Sequence, residues 1–217
     1  TLDTIASGYT TVSATGLTGD LTIAAAARGS DAMTITGGTG SDTIAMENSA
    51  DVLDGGTATG TTDNLVVAGN FNSGGFTIDL SSSTDQITQF NGTANSAVQK
   101  NFESIDLSAA VVVTGSTITG SSGANTIKGT TIADTINGGL GADLIYSGLG
   151  ADTVTFTETT DSEDRFYIED VSGVKSTIDT ITGFVDEGGL FENKNIFLVN
   201  SVRGVDLKSL NNIRATQ

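Results

Sequence analysis

The sequence predicts an all-β solenoid, in which short parallel strands stack turn upon turn. Three observations predict it. Large aliphatic residues recur every nine positions at Ile118, Ile127, Ile136, Ile145 and Val154, and again at Ile35, Ile44 and Leu53. Clusters rich in Gly, Asn, Asp and Ser punctuate the chain at fixed offsets from those aliphatics. Helix-period patterning is nearly missing; Leu21–Ala27 and Thr93–Phe102 are the two stretches with room for a helical turn or two. A helix of period 3.6 gives no reason for nine-residue spacing. A stack of units, each with one turn and one short strand, does, because its neighbours bury a continuous aliphatic ladder.

Alternating apolar and polar residues mark the individual strands. Met33-Thr34-Ile35, Phe76-Thr77-Ile78-Asp79-Leu80, Ser104-Ile105-Asp106-Leu107 and Asn195-Ile196-Phe197-Leu198-Val199 are such runs. Four regions follow. Residues 1–69 form an N-terminal β segment holding a first repeat block over about 35–67. Residues 70–119 link, residues 120–155 form a second block, and 156–217 read as a β cap. Neither terminus shows a start or stop signal, so a fragment of a longer chain is expected. A ladder with one large apolar residue per unit buries little area per residue, so something besides packing must hold the turns.

Composition narrows what that can be. The 217 residues hold 26 acidic and 9 basic side chains, a formal net charge of −17. Such a chain has no cationic face with which to displace phosphate counterions or approach anionic lipid, so nucleic-acid binding and membrane insertion are not expected. The acidity serves either solubility or the capture of cations, and charge alone is compatible with both. Cys and His are both absent. Their absence removes disulfides, thiolate chemistry, the usual triads and the commonest transition-metal ligands. No stretch approaches the roughly 20 apolar residues of a membrane helix.

The turns carry the chemistry. Gly37-Gly38-Thr39-Gly40-Ser41-Asp42-Thr43-Ile44-Ala45 and Gly138-Gly139-Leu140-Gly141-Ala142-Asp143-Leu144-Ile145-Tyr146 are full matches to the pattern G-G-x-G-x-D-x-U-x. Ser147–Thr155, with Gly148, Gly150 and Asp152, departs only at its first Gly. Gly129–Asn137 keeps Asp134, and Gly120–Lys128 keeps Gly123 and places Asn125 at the Asp position. Met46–Asp54 keeps Asp51, and a unit beginning Gly55-Gly56-Thr57 reaches Asp63 after three extra residues. One carboxylate per turn beside inward-turned carbonyls is the donor set of a hard cation such as Ca²⁺, which takes about 6–8 oxygens. Glycine permits the backbone conformations this needs. Consecutive units lie on opposite sides of a flattened roll, so a cation sits between loops two units apart. Asn125 should face Asp143, Asp134 should face Asp152, and Asp42 should face Asp63. Asp51 has no convincing earlier partner, since Asp31 lies two positions off the frame. For Asn125, Asp51 and Asp63 a solvated turn residue is the competing reading.

These nonapeptides resemble the repeats of the repeats-in-toxin (RTX) proteins exported by type I secretion. The resemblance implies a right-handed parallel β-roll that folds on meeting calcium outside the cell, with several ions. Ser176-Thr177-Ile178-Asp179-Thr180-Ile181-Thr182-Gly183-Phe184 is similar to the strand that follows the repeats in that family, making Asp179 an additional ligand and Phe184 a core anchor. Asn101–Ser108 with Thr117–Asn125 resembles the linking segments of RTX-type bacterial surface-layer (S-layer) proteins. The repeats here are few and split by about fifty residues, whereas toxins carry long arrays.

Asp3, Asp20, Asp79, Asp106 and Glu103 read as solvent-facing, as does the acidic run Asp161, Glu163, Asp164, Glu169 and Asp170. Phe156, Phe166, Tyr167, Phe184, Phe191 and Phe197 read as a cap over the open end of the solenoid. The functional expectation is a calcium-binding structural domain of a secreted, self-assembling S-layer protein, and not an enzyme. Its partners are copies of itself, and surface polysaccharide or lipopolysaccharide through parts beyond this segment. A calcium-folded module of an adhesin, toxin or extracellular enzyme is the alternative. A carboxylate-pair glycosidase is formally open, but no motif supports it.

Overall fold

The computed structural model describes residues 9–24, 31–57, 61–157, 162, 164–167 and 179–183. The run 195–199 and the residues Asp3, Asp161, Glu163, Glu169, Asp170, Phe184, Phe191 and Phe197 lie outside them. Every regular element among the described residues is a strand, and nearly all pairing is parallel, as in a β-roll. The two stretches with room for a helical turn hold short strands and no helix where described: β2 (Thr22–Ile23), β10 (Thr93–Ala94) and β11 (Gln99–Lys100). Of their apolar residues Leu21, Ile23 and Phe102 are buried in the core, and packing of this kind overrides weak local propensity.

One wall of the roll is a seven-stranded parallel sheet. It runs from β2 through β4 (Thr43–Met46), β6 (Asn64–Val67), β12 (Ser104–Asp106), β15 (Thr126–Lys128) and β17 (Leu144–Tyr146) to β19 (Arg165–Tyr167). Strands from both repeat blocks and from the linking segment therefore share one sheet. The opposite wall is split. Its first part holds β1 (Thr11–Ser13), β3 (Thr34–Thr36), β5 (Val52–Asp54) and β11. Its second holds β10, β9 (Ile87–Phe90), β8 (Thr77–Asp79), β14 (Thr117–Thr119), β16 (Thr135–Asn137), β18 (Thr153–Thr155) and β20 (Thr180–Thr182). Where the linking segment lengthens the coil, β7 (Gly69–Phe71) and β13 (Ala110–Val112) add a two-stranded parallel third wall.

Register explains the core. Ile23, Ile44, Leu65, Ile105, Ile127, Ile145 and Phe166 are aligned across the continuous sheet. Ile78, Ile118, Ile136, Val154 and Ile181 are aligned across the second part of the split wall. All but Ile181 are fully buried, each contributing about 1.5–3 kcal/mol. The nine-residue ladder is thus two ladders, alternate units feeding opposite walls. Phe156 and Phe166 complete the core near the last rungs, and Tyr167 stacks on Tyr146 at 4.4 Å.

The middle is built differently. Phe71, Phe76 and Phe90 pack edge to face with centroids 5.1–5.2 Å apart. Two buried glutamines close the gap in the split wall. Gln86 donates to the carbonyls of Leu80 and Phe102 and accepts from Phe102 N–H. Gln99 donates to Asp51 O and accepts from Asn95.

Candidate metal centres

The residue immediately before most strands of the two facing walls stands at a loop edge of the roll, and where it is polar its side chain reaches back one rung. On the continuous wall these residues are Leu21, Asp42, Asp63, Glu103, Asn125, Asp143 and Asp164. Asp42 Oδ1 accepts Leu21 N–H (2.7 Å), Asp63 Oδ1 accepts Asp42 N–H (2.7 Å), and Glu103 Oε2 accepts Asp63 N–H (2.7 Å). Asn125 Nδ2 donates to Glu103 O (2.7 Å), Asp143 Oδ1 accepts Asn125 N–H (2.9 Å), and Asp164 Oδ1 accepts Asp143 N–H (2.9 Å). On the split wall Ser116 N–H donates to Asp134, Asp134 N–H to Asp152 and Asp152 N–H to Asp179. The three facing pairs expected from spacing are adjacent rungs in these rows.

The second oxygens fold the loops inward. Asp42 Oδ2 accepts Gly38 N–H, Asp134 Oδ2 accepts Thr130 N–H, and Asn125 Oδ1 accepts Ser121 N–H, each from four residues earlier. Asp51 closes its own loop, accepting Glu47 and Asn48 N–H, while its Oδ1 takes Met33 N–H from two units back. The rung facing Asp51 is therefore Met33, an apolar residue, and Asp31 is exposed.

Glycine serves two needs in these loops. Gly139, Gly141, Gly148 and Gly150 have φ between 93° and 132°, where side-chain-bearing residues are strained. In the first block the constraint is space: a Cβ on Gly37 would lie 1.9 Å from Gly55 O, and one on Gly55 would lie 2.1 Å from Asn101 O. Gly38 and Gly40 press on the loop before them, and Gly138 sits against Asp143. Gly123 itself is open, but a Cβ on Gly141 would collide with its backbone.

Asp42, Asp51, Asp63, Asp134, Asp143 and Asp152 are all at most 2 % exposed. Ionised carboxylates in such places need a counter-charge. The ion pairs among the described residues lie elsewhere, Lys100 with Asp54 and Lys128 with Asp106. Burial pushes Asp63 and Asp152 from the ordinary 3.8 up to about 6, reinforced by Glu103 and Asp42 for the first and by Asp179 and Asp134 for the second. Burial also raises Asp134 and Asp179. Ser147 Oγ lies near the Asp152 carboxyl but donates to Asp179 Oδ2 at 3.4 Å. Asp152 Oδ2 is left buried, with no donor among the described residues.

An oxygen in that state fits a cation. No three acidic side chains converge on one point among the described residues. Each loop brings one carboxylate, so the other oxygens of a calcium shell come from the loop backbone, as the chemistry of the donor set requires. Asp42 with Asp63, Asn125 with Asp143, Asp134 with Asp152, and Asp152 with Asp179 are the side chains that would hold calcium.

Two members of the rows were not legible as such. Asp164 is buried rather than part of a solvated run, and Glu103 is half-buried and bonded to Asp63. Both sit immediately before a strand whose middle residue enters the core, Ile105 after Glu103 and Phe166 after Asp164. That acid-x-apolar signal is present, but outside the nine-residue frame. Asp20 is exposed and accepts Ser41 N–H. Burial opposes ionisation of Asp106, but Lys128 and Ser108 outweigh it and hold the carboxyl below its usual range.

Among protein-family models, that of the RTX calcium-binding nonapeptide repeat (4 copies) matches residues 34–62 and 119–154. No curated protein and no solved structure compared with the chain gave a match. Both repeat blocks thus carry RTX calcium-binding nonapeptides, set at the loop edges of a parallel β-roll.

Proposed function

We propose that this chain is a structural segment of a secreted bacterial surface-layer protein, in which calcium between stacked loops sets the shape of the roll. One observation carries the calcium reading. Rows of buried carboxylates line both loop edges, and among the described residues Asp42, Asp63, Asp134 and Asp152 have no basic partner. A divalent cation supplies the missing charge, and its binding energy becomes folding energy. Extracellular calcium modules work at about 10⁻⁴–10⁻³ M, which suits a protein that stays unfolded during export and folds outside.

The surface-layer role is favoured by the outward faces of the strands, where Thr34, Thr117, Thr135, Thr153 and Thr180 present small β-branched side chains. With no His or Cys in the sequence, an enzymatic role is not part of this reading. No helix among the described residues is long and apolar enough to cross a membrane. The test begins with circular dichroism of the exhaustively chelated chain during titration with calcium, then with magnesium. A cooperative gain of β signal with calcium alone supports the metal reading. A spectrum β-rich in chelator and unmoved by calcium overturns it. Electron microscopy of the calcium-loaded chain then separates two-dimensional sheets from a calcium-folded module of an adhesin, toxin or extracellular enzyme, which forms none.

A further inference from the structure

Among the described residues the third wall of the roll has open edges. Among the described residues β13 pairs only with β7, in the register Ala110↔Gly69, Val111↔Asn70 and Val112↔Phe71. Val112 points into the core, whereas Val111 and Val113 are 58 % and 54 % exposed, the highest among the exposed aliphatic residues. Ser108, Ala109 and Thr114 beside them are exposed as well. The coil spends ten residues between Asp106 and Thr117, where the next coil spends six between Lys128 and Thr135 in a tighter turn. β13 is therefore carried out beyond the tighter turn of the following coil.

Soluble proteins ordinarily guard such an edge with Lys, Pro or an inward charge. Here there is no guard. From Leu107 to Ile127 the sequence contains no charged residue, and the same holds from Asn64 to Ile78, which includes the partner strand β7. Elsewhere a chain of net charge −17 repels its own copies. This band is where two copies can approach without bringing like charges together.

We infer that β13 is a docking edge for a second copy of this chain. Two copies related by a two-fold axis pair β13 antiparallel about Val112, giving a four-stranded β7–β13–β13–β7 sheet. That register sets Val111 of each copy opposite Val113 of the other, on the outer face. A two-fold interface requires a self-complementary patch, and β-branched pairs across an antiparallel rung stabilise it. The strand satisfies both conditions by itself, which is the reason for assigning the edge to a copy and not to an unlike partner. The inference deepens the self-assembly reading above and rests on it.

The test is sedimentation velocity of the calcium-loaded chain over a concentration series, beside Val111→Glu/Val113→Glu. The parent should double in mass with concentration, and the variant should stay monomeric with unchanged circular dichroism, since both positions are exposed. The natural chain has no cysteine, so register is read by oxidising V111C and V113C preparations. An equimolar mixture should give a disulfide-linked dimer in several-fold greater yield than either alone. A monomeric parent, a double-Glu variant that associates like the parent, or equal cross-linking in all three samples overturns the assignment. Microscopy separates this from the lattice reading. Sheets that form unchanged in the double-Glu variant leave the lattice standing and remove the edge. Variant-sensitive dimers without sheets keep the edge and remove the lattice.

Discussion

The loop edges and the middle of the roll face the same problem, that of terminating buried backbone, and solve it with different groups. At the loop edges carboxylates do the work: Asp42, Asp63, Asp143 and Asp152 accept N–H groups from the rung before. In the break of the split wall Gln86 and Gln99 do it, each with both ends of its amide engaged. The amide is neutral and finishes its hydrogen bonding within the protein. The carboxylate leaves a charge behind, and a neighbouring rung adds another. If calcium fills the loops as proposed, the loop edges depend on a cation and the middle does not, although both belong to one stack. On the continuous wall, where β12 pairs with both β6 and β15, Glu103 keeps the row unbroken: its side chain accepts Asp63 N–H and its carbonyl accepts from Asn125 Nδ2.

The largest test of this contrast is removal of calcium. In chelator, amides of Ile127, Ile136 and Ile145 should lose hydrogen-exchange protection by orders of magnitude, while those of Phe76, Ile87 and Phe102 keep most of theirs. Uniform loss along the chain would show that the two regions do not differ. The reverse perturbation is Phe76→Ala, which opens the aromatic cluster and should cost about 3–5 kcal/mol in a denaturant melt. Saturating calcium should recover little of that loss.

Single carboxylates come next. Asp143→Ala and Asp152→Ala should each weaken calcium binding by about tenfold or more, a loss that even outer ligands can cause, and loosen the second block. Unchanged affinity by calorimetry and unchanged melting in both variants would remove these residues from the sites. A finer change is Glu103→Gln, which keeps an acceptor for Asp63 N–H and removes one charge. The chelated variant should melt no lower than the parent, with calcium affinity reduced a few-fold on the scale of about 1 kcal/mol per charge interaction near a surface. A melting point that falls in chelator would mean that Glu103 stabilises by more than its hydrogen bond.

Acidity gives the smallest effect, with opposite signs in the two metal states. Asp63 and Asp152 sit near 6 in the fold against 3.8 when unfolded. The folded state therefore holds more protons between those values. The chelated chain is most stable below about 4 and loses stability as pH rises through 6. With calcium, protons compete for the same oxygens, so affinity falls as pH drops through about 6. Melts from pH 4 to 8, with and without calcium, should slope in opposite directions.

Much of this was legible in the sequence. The nine-residue period located the stacked strands, since each rung needs only one aliphatic side chain at a fixed distance from its turn. Eighteen-residue spacing paired Asn125 with Asp143 and Asp134 with Asp152, because the coil there has no insertion. It did not place Glu103 or Asp164, which are 40 and 21 residues from the rungs they join. Nor did it show that Thr93–Phe102 would hold two short strands, or that the rung facing Asp51 is Met33.

The sequence by itself determined the local unit: the turn that needs glycine, the carboxylate beside it and the apolar residue that follows. These depend on backbone conformation and on spacing within about nine residues, which a linear chain displays directly. Tertiary structure alone decided which units become neighbours across an insertion, that one wall runs through both blocks while the other breaks, and that β13 has an open edge among the described residues. Stacking is a contact between residues far apart in sequence, and an inserted loop alters that separation without altering the unit itself.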